Sequence, residues 1–143
     1  MKTLQQVLNL KTHQGIISIA PGRPVYDALV ILAEYKIGAL AIIKDGELVG
    51  IFSERDYARE VILKGRSSKT TPISDVMTKK VITCKPSDLV ESAMSTMLEK
   101  RIRHLPVVDN GKMLGMLSIG DILKETISYQ QELIRQLESY IHS

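Results

Sequence analysis

Apolar residues recur along the chain in two rhythms, and the order of the rhythms repeats. Ile16–Ala20 is a short apolar stretch closed by a Pro-containing turn. Val25, Ala28, Leu29, Leu32 and Ala33 then keep the i, i+3, i+4 spacing of one helix face. Ala39–Ile43 is apolar throughout, which predicts a strand with no wet face. Lys44-Asp45-Gly46 supplies hairpin turn residues before a second strand, Leu48–Phe52. A closing helix is predicted over Glu54–Leu63. The succession starts again at Val81–Cys84. Val90, Ala93, Met94, Met97 and Leu98 mark a helix face, Leu105–Val108 a strand, Asp109-Asn110-Gly111 a turn, Met113–Leu117 a strand, and Ile119 opens a helix.

A gap-free slide of 65 residues lays Ile16–Val61 on Val81–Thr126, with Pro21 on Pro86, Gly50 on Gly115, Ser53 on Ser118 and Asp56 on Asp121. Two copies of one β-α-β-β-α unit are the natural reading, so the fold class is α/β. Two copies predict a closed, disc-like pair and not a solenoid. The first copy, with a small leading helix over Thr3–Leu8, occupies residues 1–65. Residues 66–80 form a polar linker, with a helical turn at Ser74–Met77. Residues 81–143 are the second copy, whose final helix runs long, from about Asp121 to Ile141. Leu123, Ile127, Ile134, Leu137 and Ile141 lie near heptad spacing on it. That stripe suits either its own domain or a second subunit, and a homodimer is expected.

Both copies end their last strand in the same cluster, Ser53-Glu54-Arg55-Asp56 and Ser118-Ile119-Gly120-Asp121. Helix capping explains such a cluster locally, with Ser as N-cap and an acid three residues on. The same geometry suits a nucleotide. A helix N-terminus offers free N–H groups and a positive dipole end to phosphate. An ionised Asp only accepts hydrogen bonds, so it can take both hydroxyl protons of a ribose diol. Recurrence at equivalent places favours a site.

These residues carry a family resemblance. Gly50-Ile51-Phe52-Ser53…Asp56 and Gly115-Met116-Leu117-Ser118…Asp121 resemble the end of a CBS motif, as does Ile102-Arg103-His104-Leu105-Pro106-Val107-Val108-Asp109 upstream. Two in tandem resemble a Bateman module, here most like small stand-alone bacterial and organellar CBS pairs. The resemblance implies an adenine nucleotide (AMP, ADP, ATP, NAD or S-adenosylmethionine) in clefts between the repeats. It implies ribose ligands at Asp56 and Asp121, and phosphate ligands at Ser53, Arg55, Ser118, Arg103 and His104. It implies adenine contacts at Ile19, Ala20, Ala39, Cys84, Lys85 and Pro106. Gly38-Ala39-Leu40-Ala41 replaces Arg103-His104-Leu105-Pro106 in the first copy, so the two clefts are expected to differ.

Composition narrows the remaining classes. Lys+Arg 19 against Asp+Glu 16 gives +3, too little to call for a nucleic-acid partner. Five of those cations fall in residues 55–69 with only two acids, which reads first as a solvated face. Cys84 is the single cysteine, so no internal disulfide framework forms. No apolar run approaches a membrane span, and the polar N-terminus is unlike a signal peptide, so a reducing, cytoplasmic setting is expected. His13, His104 and His142 are scattered, which predicts no metal site. The dinucleotide, P-loop, Gly-x-Ser-x-Gly and His-Glu-x-x-His signatures are absent, so no catalytic residue and no catalytic cofactor is expected. A regulatory nucleotide-binding module, relaying occupancy to an unidentified protein, is therefore the leading function. A ligand-independent interaction protein is its alternative, followed by nucleic-acid binding.

Overall fold

The computed structural model describes residues 1–11 and 15–142; His13 lies outside them. In chain order the elements are α1 (Leu4–Leu10), β1 (Ser18–Ile19), α2 (Val25–Tyr35), β2 (Ala39–Lys44), β3 (Glu47–Ser53), α3 (Glu54–Asp56), α4 (Val90–Lys100), β4 (His104–Asp109), β5 (Lys112–Ser118) and α5 (Ile119–His142). β1 runs parallel to β2, which pairs antiparallel with β3, while β4 and β5 form a separate hairpin. The chain is thus α/β with a duplicated unit, as the rhythm predicts.

The two hairpins turn alike. Asp45-Gly46 and Asn110-Gly111 all have positive φ, between 51° and 81°. Two consecutive left-handed residues define the type I′ turn, whose twist matches that of the strands. α2 and α4 also stop alike, at Lys36 (φ 55°) and Arg101 (φ 56°), in the left-handed conformation that glycine usually fills.

The chain divides into two compact units. One comprises Gly15–Ile82 with the hairpin-tip residues Asn110–Met113. Its core is built from Ile19, Val25, Ala28, Leu32, Leu40, Ile42, Phe52, Val61, Ile73 and Val76. The other unit joins α1 to the second repeat. Its buried residues occupy equivalent positions: Val90, Ala93, Met97, Leu105, Val107 and Leu117, with Leu4 and Val7 from α1.

Each unit therefore contains a leader segment, and the leaders match each other at a second offset. Thr3-Leu4-x-x-Val7-Leu8 corresponds to Pro72-Ile73-x-x-Val76-Met77, 69 residues on. Their backbones make equivalent bonds. Leu4 N–H reaches Asp88 O at 2.9 Å and Ile73 N–H reaches Arg23 O at 2.9 Å. Val90 N–H reaches Lys2 O at 3.2 Å, and Val25 N–H reaches Thr71 O at 2.9 Å.

Two expected elements differ. Val81–Cys84 forms no strand, only a parallel bridge from Cys84 to Val107. Pro106 has no N–H to donate to Ile82, so pairing begins with the Cys84 N–H on Pro106 O at 3.0 Å. The expected helix Glu54–Leu63 is one α-turn, Glu54–Asp56, followed by a π-helical stretch, Tyr57–Ile62. There Leu63 N–H bonds Ala58 O, five residues back, at 3.1 Å. The helical turn expected at Ser74–Met77 is a 3-10 turn over Ile73–Asp75.

Candidate functional site

Both Ser-x-x-Asp clusters sit where a hairpin strand becomes a helix. At the start of α3, Asp56 N–H donates to Ser53 Oγ at 3.2 Å, and Ser53 N–H returns a bond to Asp56 Oδ2 at 2.9 Å. Ser53 Oγ also donates to Oδ2, at 3.1 Å. At the start of α5, Asp121 N–H donates to Ser118 Oγ at 3.1 Å and Ser118 N–H to Asp121 Oδ2 at 2.8 Å. Each cluster is a reciprocal capping box, worth about 1 kcal/mol. A backbone bond anchors each turn: Glu54 N–H to Gly38 O at 3.1 Å, and Ile119 N–H to Arg103 O at 2.8 Å.

The leaders complete the surroundings of the two carboxylates. Thr78 Oγ donates to Asp56 Oδ1 at 3.1 Å, while the Thr78 N–H bonds Ile51 O at 2.8 Å. In the second repeat one ammonium makes both equivalent contacts. Lys11 Nζ bonds Asp121 Oδ2 at 3.0 Å and Met116 O at 2.8 Å. Burial, the largest single influence, pushes the Asp121 carboxyl up in pKa; the Ser118 N–H and the Lys11 ammonium together outweigh it and leave the pKa below its ordinary value.

The motif glycines are explained by the same leaders. A Cβ on Gly50 would stand 2.5 Å from Met77 Sδ and 3.1 Å from the Thr78 carbonyl oxygen. One on Gly115 would stand 2.8 Å from Leu8 Cδ2. Only a glycine lets the leader lie this close to the strand.

The structure brings Ser53, Arg55 and Asp56 together in one turn, with Arg55 exposed, and Ser118 and Asp121 in the other. Arg103 is exposed and His104 half-buried, at the entry to β4, and the Arg103 carbonyl caps α5. Ile19, Ala39 and Pro106 are buried, and Ile19 belongs to a core, so its outward contribution is the backbone of edge strand β1. Ala20 and Lys85 are exposed. Cys84 is half-buried; its thiol donates to Pro106 O at 3.3 Å, and burial pushes its pKa up to about 12, with Asp88 adding to the rise. Lys11 and Thr78 are the residues that the repeat pattern missed. The 69-residue match of the leaders is the signal that places them. Among the described residues no group of three His, Cys, Asp or Glu side chains could hold a metal, and no helix is long and apolar enough to cross a membrane.

A duplicated strand–helix site with a capping acid in each copy defines a tandem-repeat module. The family model for the CBS domain matches twice, over residues 10–63 and 73–128, and the chain belongs to that family. It is 43% identical over 122 residues to the mitochondrial CBS domain-containing protein CBSX3 of Arabidopsis thaliana. The match covers 82% of this chain and 59% of that protein, so the chain spans well under two thirds of its relative's length. A solved CBS-domain protein from Burkholderia ambifaria MC40-6 is 43% identical with a TM-score of 0.85, over 89% of this chain and 95% of that one. The CBS domain pair of protein MJ0100, solved with 5-methylthioadenosine and S-adenosyl-L-methionine, shares the fold at 24% identity, with a TM-score of 0.80 over 90% of this chain and 98% of that one.

Proposed function

We propose that the chain is a regulatory module that binds an adenine nucleotide at the starts of α3 and α5. The observation that carries this reading is the Ser-x-x-Asp turn, built twice with the same reciprocal bonds. Asp56 and Asp121 accept the ribose hydroxyls, because a carboxylate has lone pairs beyond those used in the cap. Ser53, Ser118 and the helix N-terminus at α5 face phosphate, joined by Arg55, Arg103 and His104. Ile19, Ala20, Ala39, Cys84, Lys85 and Pro106 offer backbone and aliphatic surface to adenine. The ligand is AMP, ADP, ATP or NAD; the adenosine ligands of MJ0100 support the adenine class. Occupancy is relayed to a partner to the extent that the nucleotide prefers one arrangement of the chain over another. The module is regulatory rather than catalytic, and its single free thiol suits a reducing compartment such as the cytoplasm.

Calorimetric titration of the purified chain with AMP, ATP and NAD tests this. Binding is expected, and Asp56→Ala and Asp121→Ala each weaken it by about tenfold or more, the loss of one charge-assisted hydrogen bond. No heat at millimolar nucleotide, or unaltered binding in both variants, overturns it. A ligand-independent interaction role is favoured by one observation: both carboxylates already accept bonds from the leaders. A nucleotide released from the denatured protein, detected by mass spectrometry, counts against that second reading.

A further inference from the structure

The back half of α5 has no cover within the described chain. All thirteen residues from Gln130 to His142 are exposed. A polar helix could stand in water like this, but α5 is not polar all round. Leu123, Ile127, Ile134, Leu137 and Ile141 are between 46 and 75% exposed. With Gln130 they occupy every a and d position of a heptad that begins at Gly120. At about 100° per residue the stripe is centred about 130° around the axis from the face carrying buried Ile122 and Glu125. It therefore does not belong to the core that α5 already closes. A helix end of this length gains little stability without a partner for its apolar face.

From this we infer that α5 pairs with α5 of a second copy of this chain, antiparallel, as a two-stranded coiled coil. The stripe is complementary to its own reverse. In the register that sets Ile127 against Leu137 of the partner subunit, Ile141 meets Leu123 of the partner subunit. Both layers then match one Ile with one Leu. Leu133, at a g position, meets its own copy across the two-fold axis. Tyr140, the most exposed large residue of the helix, lies beside Thr126 of the partner subunit at the remaining g pair. Charge fits as well. The e positions bring Lys124 opposite Glu138 of the partner subunit, twice by symmetry, and opposed helix dipoles attract. A parallel pairing makes none of these charge pairs, because its g positions hold Thr126, Leu133 and Tyr140. The one polar layer, Gln130 against Ile134 of the partner subunit, fixes the register at some cost in stability. This inference is independent of the nucleotide reading.

Sedimentation of the full chain at micromolar concentration is the test. A dimer is expected, and Ile134→Asp with Leu137→Asp gives a monomer whose thermal unfolding is unchanged, since neither side chain is buried. Glu138→Lys weakens the dimer by about tenfold, and adding Lys124→Glu restores it, the signature of an exposed charge pair counted twice. Orientation is read in a Cys84→Ser background with a short bismaleimide. Lys124→Cys and Glu138→Cys proteins crosslink when mixed, whereas Glu138→Cys alone does not, because its two copies lie about 21 Å apart along the axis. A wild-type monomer, a dimer that survives the double Asp variant, or self-crosslinking of Glu138→Cys each overturns the inference.

Discussion

The turns that start α3 and α5 are the same device with different donors. In the first, Thr78 offers a backbone N–H to Ile51 O and a hydroxyl to Asp56. In the second, Lys11 offers two protons of one ammonium to Met116 O and Asp121. The geometry is conserved within the chain while the charge is not. The carboxylate beside Thr78 faces a neutral neighbour; the one beside Lys11 faces a cation that cancels it. A ribose diol arriving at Asp121 must share that oxygen with Lys11, and at Asp56 it competes only with a hydroxyl. Duplication preserved the backbone frame and allowed the two sites to diverge through a single leader side chain.

The largest expected break in this comparison comes from the glycines beneath the leaders. Gly50→Ala puts a methyl against Met77 and against the Thr78 carbonyl, which is backbone and has little room to yield. Gly115→Ala meets only the Leu8 side chain, which can rotate. Urea unfolding should show a loss of about 2–3 kcal/mol for Gly50→Ala and about 1 kcal/mol for Gly115→Ala. Equal losses contradict the difference drawn between the leaders.

Next in size is the Asp121 carboxylate. Asp121→Asn keeps the shape but removes the charge held by Lys11, at a cost of about 1 kcal/mol, discounted for the partial exposure of both groups. Its pKa is lowered on folding. The stabilisation is therefore complete above the unfolded value, about pH 4, and is lost as pH falls through the folded one. Acid titration of stability should be shallower in Asp121→Asn than in wild type below pH 4, and the same above it. The smallest effects are at the helix ends. Lys36→Gly and Arg101→Gly should each stabilise by about 0.5–1 kcal/mol, because glycine holds the left-handed cap without a Cβ penalty. Thermal melts check this, and a loss at either site contradicts the symmetry of the two caps.

Much of the fold was legible. The helix faces of α2 and α4 and both Asx-Gly hairpin turns follow from spacing alone, because one inward stripe and two left-handed residues leave few alternatives. The Ser-x-x-Asp turns were legible as caps before they were legible as a site. What escaped has physical causes. Val81–Cys84 reads as a strand by composition, but the proline opposite removes its first rung. The π stretch after Asp56 escaped because Tyr57 and Val61, four apart, satisfy α and π periods equally. Lys11 and Thr78 escaped because their segments recur at 69 residues and not at 65, so a gap-free slide misaligns them.

The most direct test asks whether the two carboxylates read a sugar. Affinity for AMP is compared with affinity for 2′-deoxy-AMP in wild type, Asp56→Ala and Asp121→Ala. Wild type should prefer AMP by about tenfold, for the lost hydroxyl-to-carboxylate bond, and each alanine variant should lose that preference at its own site. An undiminished preference in both variants would mean that these acids only cap their helices.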